Sequence, residues 1–491
     1  MSVRRLRVNP LSKRAWGLLG FAAVALSFPG PAAVLATESA KLDERPSIVL
    51  IVIDTLRANA VSAYGAVEGT TPFIDALAAE GILYRHAYAS SSWTLPSHAT
   101  LLTGLRVDEH RAGMPGRAVL PEDIITLAER LQAAGYDTAG ISENIIVSDV
   151  FNLLQGFDHR RSSYYHEQKG EIPLEAVPEI REWLTQRQAD RPFFLFVNLI
   201  DAHVPYTIRD ANPFVPPTAT PSQIRSRAAK PHGLLCGGLP GKEQIEILRG
   251  LYLGDVAAAD AKVAKILSEV RKKVGPRELL SIVTSDHGEY FGERKLLGHE
   301  FGLDEAVLHI PLVVHGLTQA PSSVVERPVA LLDVAPSVLE WAGVDVPTTF
   351  RGSPLPESAT EGDGSRGLVS AYSDRYLPTP EDWQGVVEPE NKEHSRQFCA
   401  PSDRVFGSMA TLVRYPLKFH WFEKYPPELY DLSWDPSERS DQATKRPEVV
   451  EQMTSELEAF IRASRLEGDG GGAEPVSQEA IDALRELGYI R

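Results

Sequence analysis

Three apolar runs in this 491-residue sequence end in groups suited to a metal ion or an anion. Asp54 follows "SIVLIVI", Asp201 and His203 follow "FFLFVNLI", and Asp286 and His287 follow "LLSIVTS". Asp54, Asp286 and His287 together offer two carboxylates and an imidazole to a single divalent cation. Such mixed ligation suits Mn, Zn or Fe better than Ca, which prefers oxygen alone. A plainer account exists for each residue, since Asp often opens a turn after a strand and "DHGE" makes a turn by itself. Three coincident strand ends nevertheless argue for a shared site, because ligands of open α/β sheets bind beyond the carboxyl ends of the strands.

A second chemical stretch is "TLPSHATLLTG", residues 94–104. Thr is a good helix N-cap and Pro is tolerated in a first turn, so the segment reads as a helix start. The same placement turns the Thr94 hydroxyl toward free backbone N–H groups and the positive end of the helix dipole, where a tetrahedral oxyanion would sit. His98, four residues on, shares that helix face and could reach a metal-bound ligand.

These groups need a sheet to hold them. The runs at 47–54, 193–201 and 279–286 are nearly continuous in Val, Ile, Leu and Phe, the pattern of strands buried on both faces of a parallel sheet. Segments 71–81, 123–136 and 258–273 carry apolar residues at helical spacing between them. The alternation predicts an α/β/α sandwich with a mostly parallel central sheet. Pro, Gly, Ser and acidic residues dominate 351–403, so loops are expected there. Stretches 409–422 and 427–432 then read as strands of a smaller C-terminal α+β subdomain with an antiparallel sheet. The helix at 447–466 would pack on it, followed by a Gly-rich link and a last short helix. The expected segments are a leader at 1–36, a catalytic domain at 45–350, an irregular insertion at 351–403 and the subdomain at 404–491.

Arg4, Arg5, Arg7, Lys13 and Arg14 precede an apolar run ending near "AVLA", the pattern of a secretory signal peptide. Export to the periplasm or the extracellular space is the expectation, with an uncleaved anchor as the alternative. The five basic residues of this leader, which has no acid, make the remainder more acidic than the −16 of the whole chain. Bulk electrostatics therefore exclude nucleic acid as a partner, and no membrane insertion is expected once the leader is removed. Cys236 and Cys399 are too few for a disulfide scaffold or a thiolate metal site, and fit either one bridge between loops or two thiols. Oligomeric state is not legible.

Taken together, the pieces "IVLIVIDTLRANAVSAYG", "TPFIDALAAEGILYRHAYA", "TLPSHATLLTG", "QGFD", "HVPY", "TSDHGEYFGE", "GHEFGLDEAVLHIPLVV" and "ELYDLSWDPSERSDQA", in this order, resemble the sulfatase family of the alkaline phosphatase superfamily. The resemblance implies an alkaline-phosphatase-like fold and a metal-dependent ester hydrolase. It makes Asp54, Asp286 and His287 ligands of one divalent ion, Mn, Zn or Ca, with Mn or Zn favoured by the histidine. It places Thr94 where the family has its nucleophile, His203 at the ester or leaving group, and His299 on the transferred anion. Arg57 and Asn144 match positions near the substrate. The substrate class implied is a small-molecule or glycan anionic ester.

Three departures bear on the chemistry. Sulfatases carry a cysteine or serine, oxidised to formylglycine, followed by "xPSR"; here the motif is "TLPSH", with His98 for the arginine. Thr55 replaces the second acid of the usual "DD" pair, and His287 stands where many sulfatases have Asn. Formylglycine hydrate releases sulfate by eliminating it, an exit that a Thr ester lacks. Turnover through Thr94 needs water to attack the central atom in line, as phosphoryl-threonine does beside a metal in the nucleotide pyrophosphatase and phosphodiesterase branch. That shifts the expected substrate from sulfate toward phosphate or phosphonate esters. The two-zinc site of that branch uses an Asp-x-x-x-His pair, which "DAHVP" does not match, so one metal is favoured. An arylsulfatase, a phosphoethanolamine-type transferase and a non-catalytic glycan-binding protein are the competing expectations.

Overall fold

Alternate residues of the first strand, Ser47–Ile53, feed two separate cores. Ile48, Leu50 and Val52 join one apolar cluster, and Val49, Ile51 and Ile53 join the other. A strand with period two can be apolar at every position only if both faces are covered, and here both are. The computed structural model describes residues 45–66, 69–113, 119–163, 174–188, 190–228, 240–274, 278–299, 302–317, 320–358, 366–373 and 407–466.

The strand is central to an eight-stranded sheet ordered Ser323–Val325, Ile82–Tyr84, Leu312–His315, Leu279–Thr284, Ser47–Ile53, Phe193–Leu199, Asp137–Ser142 and His159–Ser162. Only Leu312–His315 runs antiparallel to its neighbours; the other pairings are parallel. Helices Thr94–Thr103, Leu127–Ala133 and Val334–Trp341 contribute buried residues to one face. Pro72–Glu80, Ala176–Gln186 and Lys242–Val274 cover the other. The expected α/β/α sandwich is therefore observed.

A separate antiparallel sheet, Leu368–Ser373, Ser408–Arg414, Leu417–Phe422 and Glu428–Asp431, forms the C-terminal region. Phe419 and Leu429 on one face pack against Met453, Leu457, Phe460 and Ile461 of helix Pro447–Leu466. Its opposite face is buried too, with Met409, Val413 and Phe422 in the first core and a polar patch in which Lys418 lies opposite Tyr430 and His420 opposite Glu428.

Several element expectations need correction. The helix expected at 258–273 begins at Lys242, because Gly250 and Gly254 read as breakers in sequence yet are buried where Phe214 and Asn212 pack onto the helix. The helix expected at 123–136 is only Leu127–Ala133, started by a capping box in which Thr126 Oγ1 and the Glu129 carboxylate serve each other's N–H groups. Strand Leu368–Ser373 lies inside the stretch expected to be loop, and 409–422 divides into two strands at Tyr415–Pro416. Among the described residues no helix is long and apolar enough to cross a membrane. The leader at 1–36, Cys236, Cys399 and everything after 466 lie outside the described residues.

Candidate active site

The strands Ser47–Ile53 and Leu279–Thr284 run side by side with Val52 opposite Thr284, so the chain leaving each delivers Asp54 and Asp286 to one place. One ligand atom from each of Asp54, Asp286 and His287 lies within 4.8 Å of the other two, and all three side chains are fully buried. His287 Nδ1 donates to the Gly288 carbonyl at 3.0 Å, which leaves Nε2 as a lone pair. That lone pair faces Asp286 Oδ2 at 3.3 Å and Asp54 Oδ1 at 4.0 Å. Neither of these oxygens accepts a hydrogen bond among the described residues. A Cβ on Gly288 would sit 2.2 Å from the Ala306 carbonyl oxygen, so the turn that presents His287 requires glycine.

Three lone pairs converging in a dry site repel one another without a positive charge among them. The protonation preferences say the same. Burial, then the charge of Asp286, pushes the Asp54 carboxyl up; burial pushes Asp286 up to about 7 and the His287 imidazole down to about 4. A divalent cation would reverse each of these shifts, and the oxygen and nitrogen donors fit one.

Neighbouring groups orient the ligands. Asn144 Nδ2 donates to Asp54 Oδ2 at 2.6 Å while its Oδ1 accepts from Ile146 N at 2.8 Å. Asn144 thus holds a ligand, where the resemblance implied substrate contact. Thr55 sits at φ +57°, sends its N–H to Asp286 Oδ1 at 3.2 Å and turns its hydroxyl to the Ala202 carbonyl at 2.9 Å. A non-glycine residue in the left-handed region at a ligand turn is locally strained and held by its surroundings.

Thr94 is the first residue of helix Thr94–Thr103; Trp93, extended at φ −150°, occupies the cap position. The expected N-cap role therefore moves back one residue, and the Thr94 side chain caps nothing. Its Oγ1 lies 3.5 Å from His287 Nε2, at the edge of the ligand cluster. The helix stops at Gly104, whose φ of +66° lets its N–H reach the Thr100 carbonyl.

His98 reaches this cluster too. Its Nδ1 donates to the Thr94 carbonyl at 2.9 Å and lies 3.4 Å from Asp286 Oδ2, leaving Nε2 to accept from Asn198 Nδ2 at 2.9 Å. Burial lowers its pKa, so a neutral ring stands where the resemblance expected an arginine. His203 and His299 are also present: the rings of His299 and His287 are 4.5 Å apart, and those of His203 and His299 are 5.0 Å apart.

Arg57 is adjacent, but its Nη1 donates to the Glu289 carbonyl and to Glu293 Oε1, both at 2.8 Å, so it braces the loop that follows His287. Asp201 pairs with Lys262 at 2.6 Å. Sequence reasoning missed two residues. Asn198, an amide amid "FFLFVNLI", was a readable signal because a buried strand rarely keeps a polar side chain without a partner. Glu289, whose Oε2 is 3.3 Å from His299 Nδ1, gave no signal beyond its place in "DHGE".

The sulfatase family model matches residues 46–344, and the chain belongs to the sulfatase family. It is 24% identical to the multifunctional alkaline phosphatase superfamily protein PehA of Trinickia caryophylli, over 81% of this chain and 91% of that one. It is 21% identical to arylsulfatase K of Mus musculus, over 91% of this chain and 85% of that one. Among solved structures it resembles the phosphonate monoester hydrolase of Agrobacterium radiobacter with a TM-score of 0.64 at 22% identity, covering 86% of this chain and 96% of that one. Family and fold together mark an ester hydrolase with a candidate metal-binding cluster.

Proposed function

We propose that this protein is an exported, metal-dependent hydrolase that cleaves a phosphate or phosphonate ester through a covalent Thr94 intermediate. The observation that carries this reading is the Thr94 hydroxyl 3.5 Å from His287 Nε2, beside two buried carboxylate oxygens that need a cation. Asp54, Asp286 and His287 would hold a divalent metal, with Mn or Zn favoured, which would supply charge to a substrate oxygen and acidify the Thr94 hydroxyl. The catalytic unit is residues 45–350, and 404–491 form the C-terminal subdomain.

In the first step Thr94 gives its proton to solvent and its oxygen bonds to phosphorus as the bond to the leaving alkoxide breaks; His203 or His299, in its protonated form, passes a proton to the alkoxide. In the second step the histidine left neutral takes a proton from water as the water oxygen bonds to the same phosphorus in line and the bond to Thr94 breaks; the Thr94 oxygen takes up a proton from solvent. The same two histidines bind the non-bridging oxygens. The phosphonate monoester hydrolase neighbour and the multifunctional relative support a phosphorus ester, and the arylsulfatase relatives make sulfate the alternative that the assay must separate.

The test is a panel of aryl phosphate monoesters and diesters, phosphonate esters and sulfate esters assayed with Mn, Zn and Ca, for the wild type and Thr94→Ala. Phosphorus esters should turn over in the wild type only. Turnover of sulfate esters alone would overturn the assignment, and metal binding with no hydrolysis would favour a non-catalytic anion binder.

A further inference from the structure

The segment from Tyr290 to Glu305 carries His299 into the site, and a buried polar seam fastens this segment to the C-terminal sheet. Lys418, fully buried in strand Leu417–Phe422, places its ammonium 3.0 Å from Glu305 Oε1 and 3.1 Å from Glu438 Oε1. Glu438 also accepts from His420 at 2.7 Å and from the Glu305 backbone N–H at 2.6 Å. On the other side of the segment, Arg294 donates to Asp304 at 2.9 Å and to the Tyr430 hydroxyl at 2.9 Å, while Tyr290 donates to Asp304 at 2.5 Å.

Asp304, His420 and Glu438 also meet the geometry of a metal cluster. The Lys418 ammonium already supplies the positive charge on Glu438, so a lysine-centred seam accounts for these residues without a cation. Arg294 and Lys295 at φ +50° and +60°, and Glu438 at φ +53°, are non-glycine residues in the left-handed region. Such conformations persist only where the surroundings over-determine them, and all three lie along this seam.

We propose that Lys418 is a positioning residue: by clamping Glu305 and Glu438 it fixes the Tyr290–Glu305 segment, and so His299, against the catalytic cluster. A side chain from the C-terminal sheet thereby sets the geometry of His299. The catalytic half of this inference rests on His299 binding the transferred anion, as proposed above; the mechanical half does not.

The experiment uses the full-length Mn-loaded protein with an aryl phosphonate ester as probe. In Lys418→Met, amide hydrogen exchange should accelerate about tenfold or more over 290–297 and 303–305. Mn affinity should stay within about twofold, and kcat should fall on the order of tenfold to a hundredfold, the range that sub-ångström to ångström misplacement produces. Lys418→Met with Glu438→Gln removes the ammonium and the more deeply buried of its two carboxylates, leaving the part-exposed Glu305, so Tm should recover in part while kcat stays low. Leu457→Ala, which opens the apolar core on the far face of the same sheet, should lower Tm and keep kcat.

Unchanged exchange in Lys418→Met would overturn the proposal. So would a kcat that recovers along with Tm in the double variant, or an equal kcat loss in Leu457→Ala. Should the wild type hydrolyse no ester, the functional reading fails, and the exchange measurement alone decides the positioning role.

Discussion

Asn144 Nδ2 donates to Asp54 Oδ2 at 2.6 Å, which leaves the other oxygen of Asp54 to face His287. Such partners fix ligand orientation, and losing one typically costs ten- to a hundredfold in metal affinity. Asn144→Ala should weaken Mn binding by about that factor, measured by titration calorimetry, with Tm of the metal-free protein little changed. Equal affinity in both proteins would show that Asp54 needs no orienting partner.

Thr94→Ala should bind metal with wild-type affinity and show no turnover. Thr94→Ser should retain part of the activity, since the hydroxyl survives and only the methyl is lost. Intact-mass analysis of quenched wild-type reactions should show one added phosphoryl group, absent in Thr94→Ala. Turnover in the alanine variant would mean direct attack by water.

Metal affinity should fall as the pH drops. Burial raises Asp286 to about 7 in the metal-free fold, so below that pH a proton occupies the ligand and must leave before the metal binds. Mn titrations at pH 8 and pH 5.5 should therefore differ, with the weaker binding at the acid end. A flat profile would indicate that Asp286 is ionised without metal.

Acid should weaken the seam in its own window. Burial pushes the Glu438 carboxyl up, but Lys418 and then His420 outweigh it and hold the group at about 2 against an ordinary 4.5. A depressed carboxyl contributes stability that is complete above its unfolded value and lost as pH falls through the folded one. Urea midpoints should therefore fall between about pH 4.5 and pH 2, and this part of the slope should shrink in Lys418→Met. Glu305 contacts the same lysine and His420 the same carboxylate, so the comparison with the variant isolates the Lys418 contribution.

Much of this was legible in the residues, for identifiable reasons. A parallel strand buried on both faces writes a continuous apolar run, so Ser47–Ile53 and its two neighbours could be read directly, and the candidate ligands Asp54, Asp286 and His287 follow two of the three. Partners brought together by folding leave no such mark. Asp201 looked like a site residue until Lys262, on a helix of the other layer, proved to be its counter-ion. Leu368–Ser373 hides because a six-residue edge strand in a polar stretch lacks flanking signals. Lys418 reads as a surface lysine in an amphipathic strand, and only the sheet's second covered face reveals its burial.

The neutral ring of His98 and the hydroxyl of Thr55 have a joint meaning for how this site departs from its relatives. The resemblance implies an acid at 55 and an arginine at 98; here the Thr55 N–H donates to Asp286 Oδ1 and His98 Nδ1 lies 3.4 Å from Asp286 Oδ2. The two differences cancel in charge, so the pocket's net charge is unchanged, two carboxylates that a divalent ion would balance. Reversing either alone buries an uncompensated ion: Thr55→Asp and His98→Arg should each destabilise the protein by several kcal/mol. The two reversals combined should cost less than their sum, a coupling that a double-mutant cycle on urea midpoints would read out. A metal-loaded variant that exchanged only one of them would first have to survive the charge it strands.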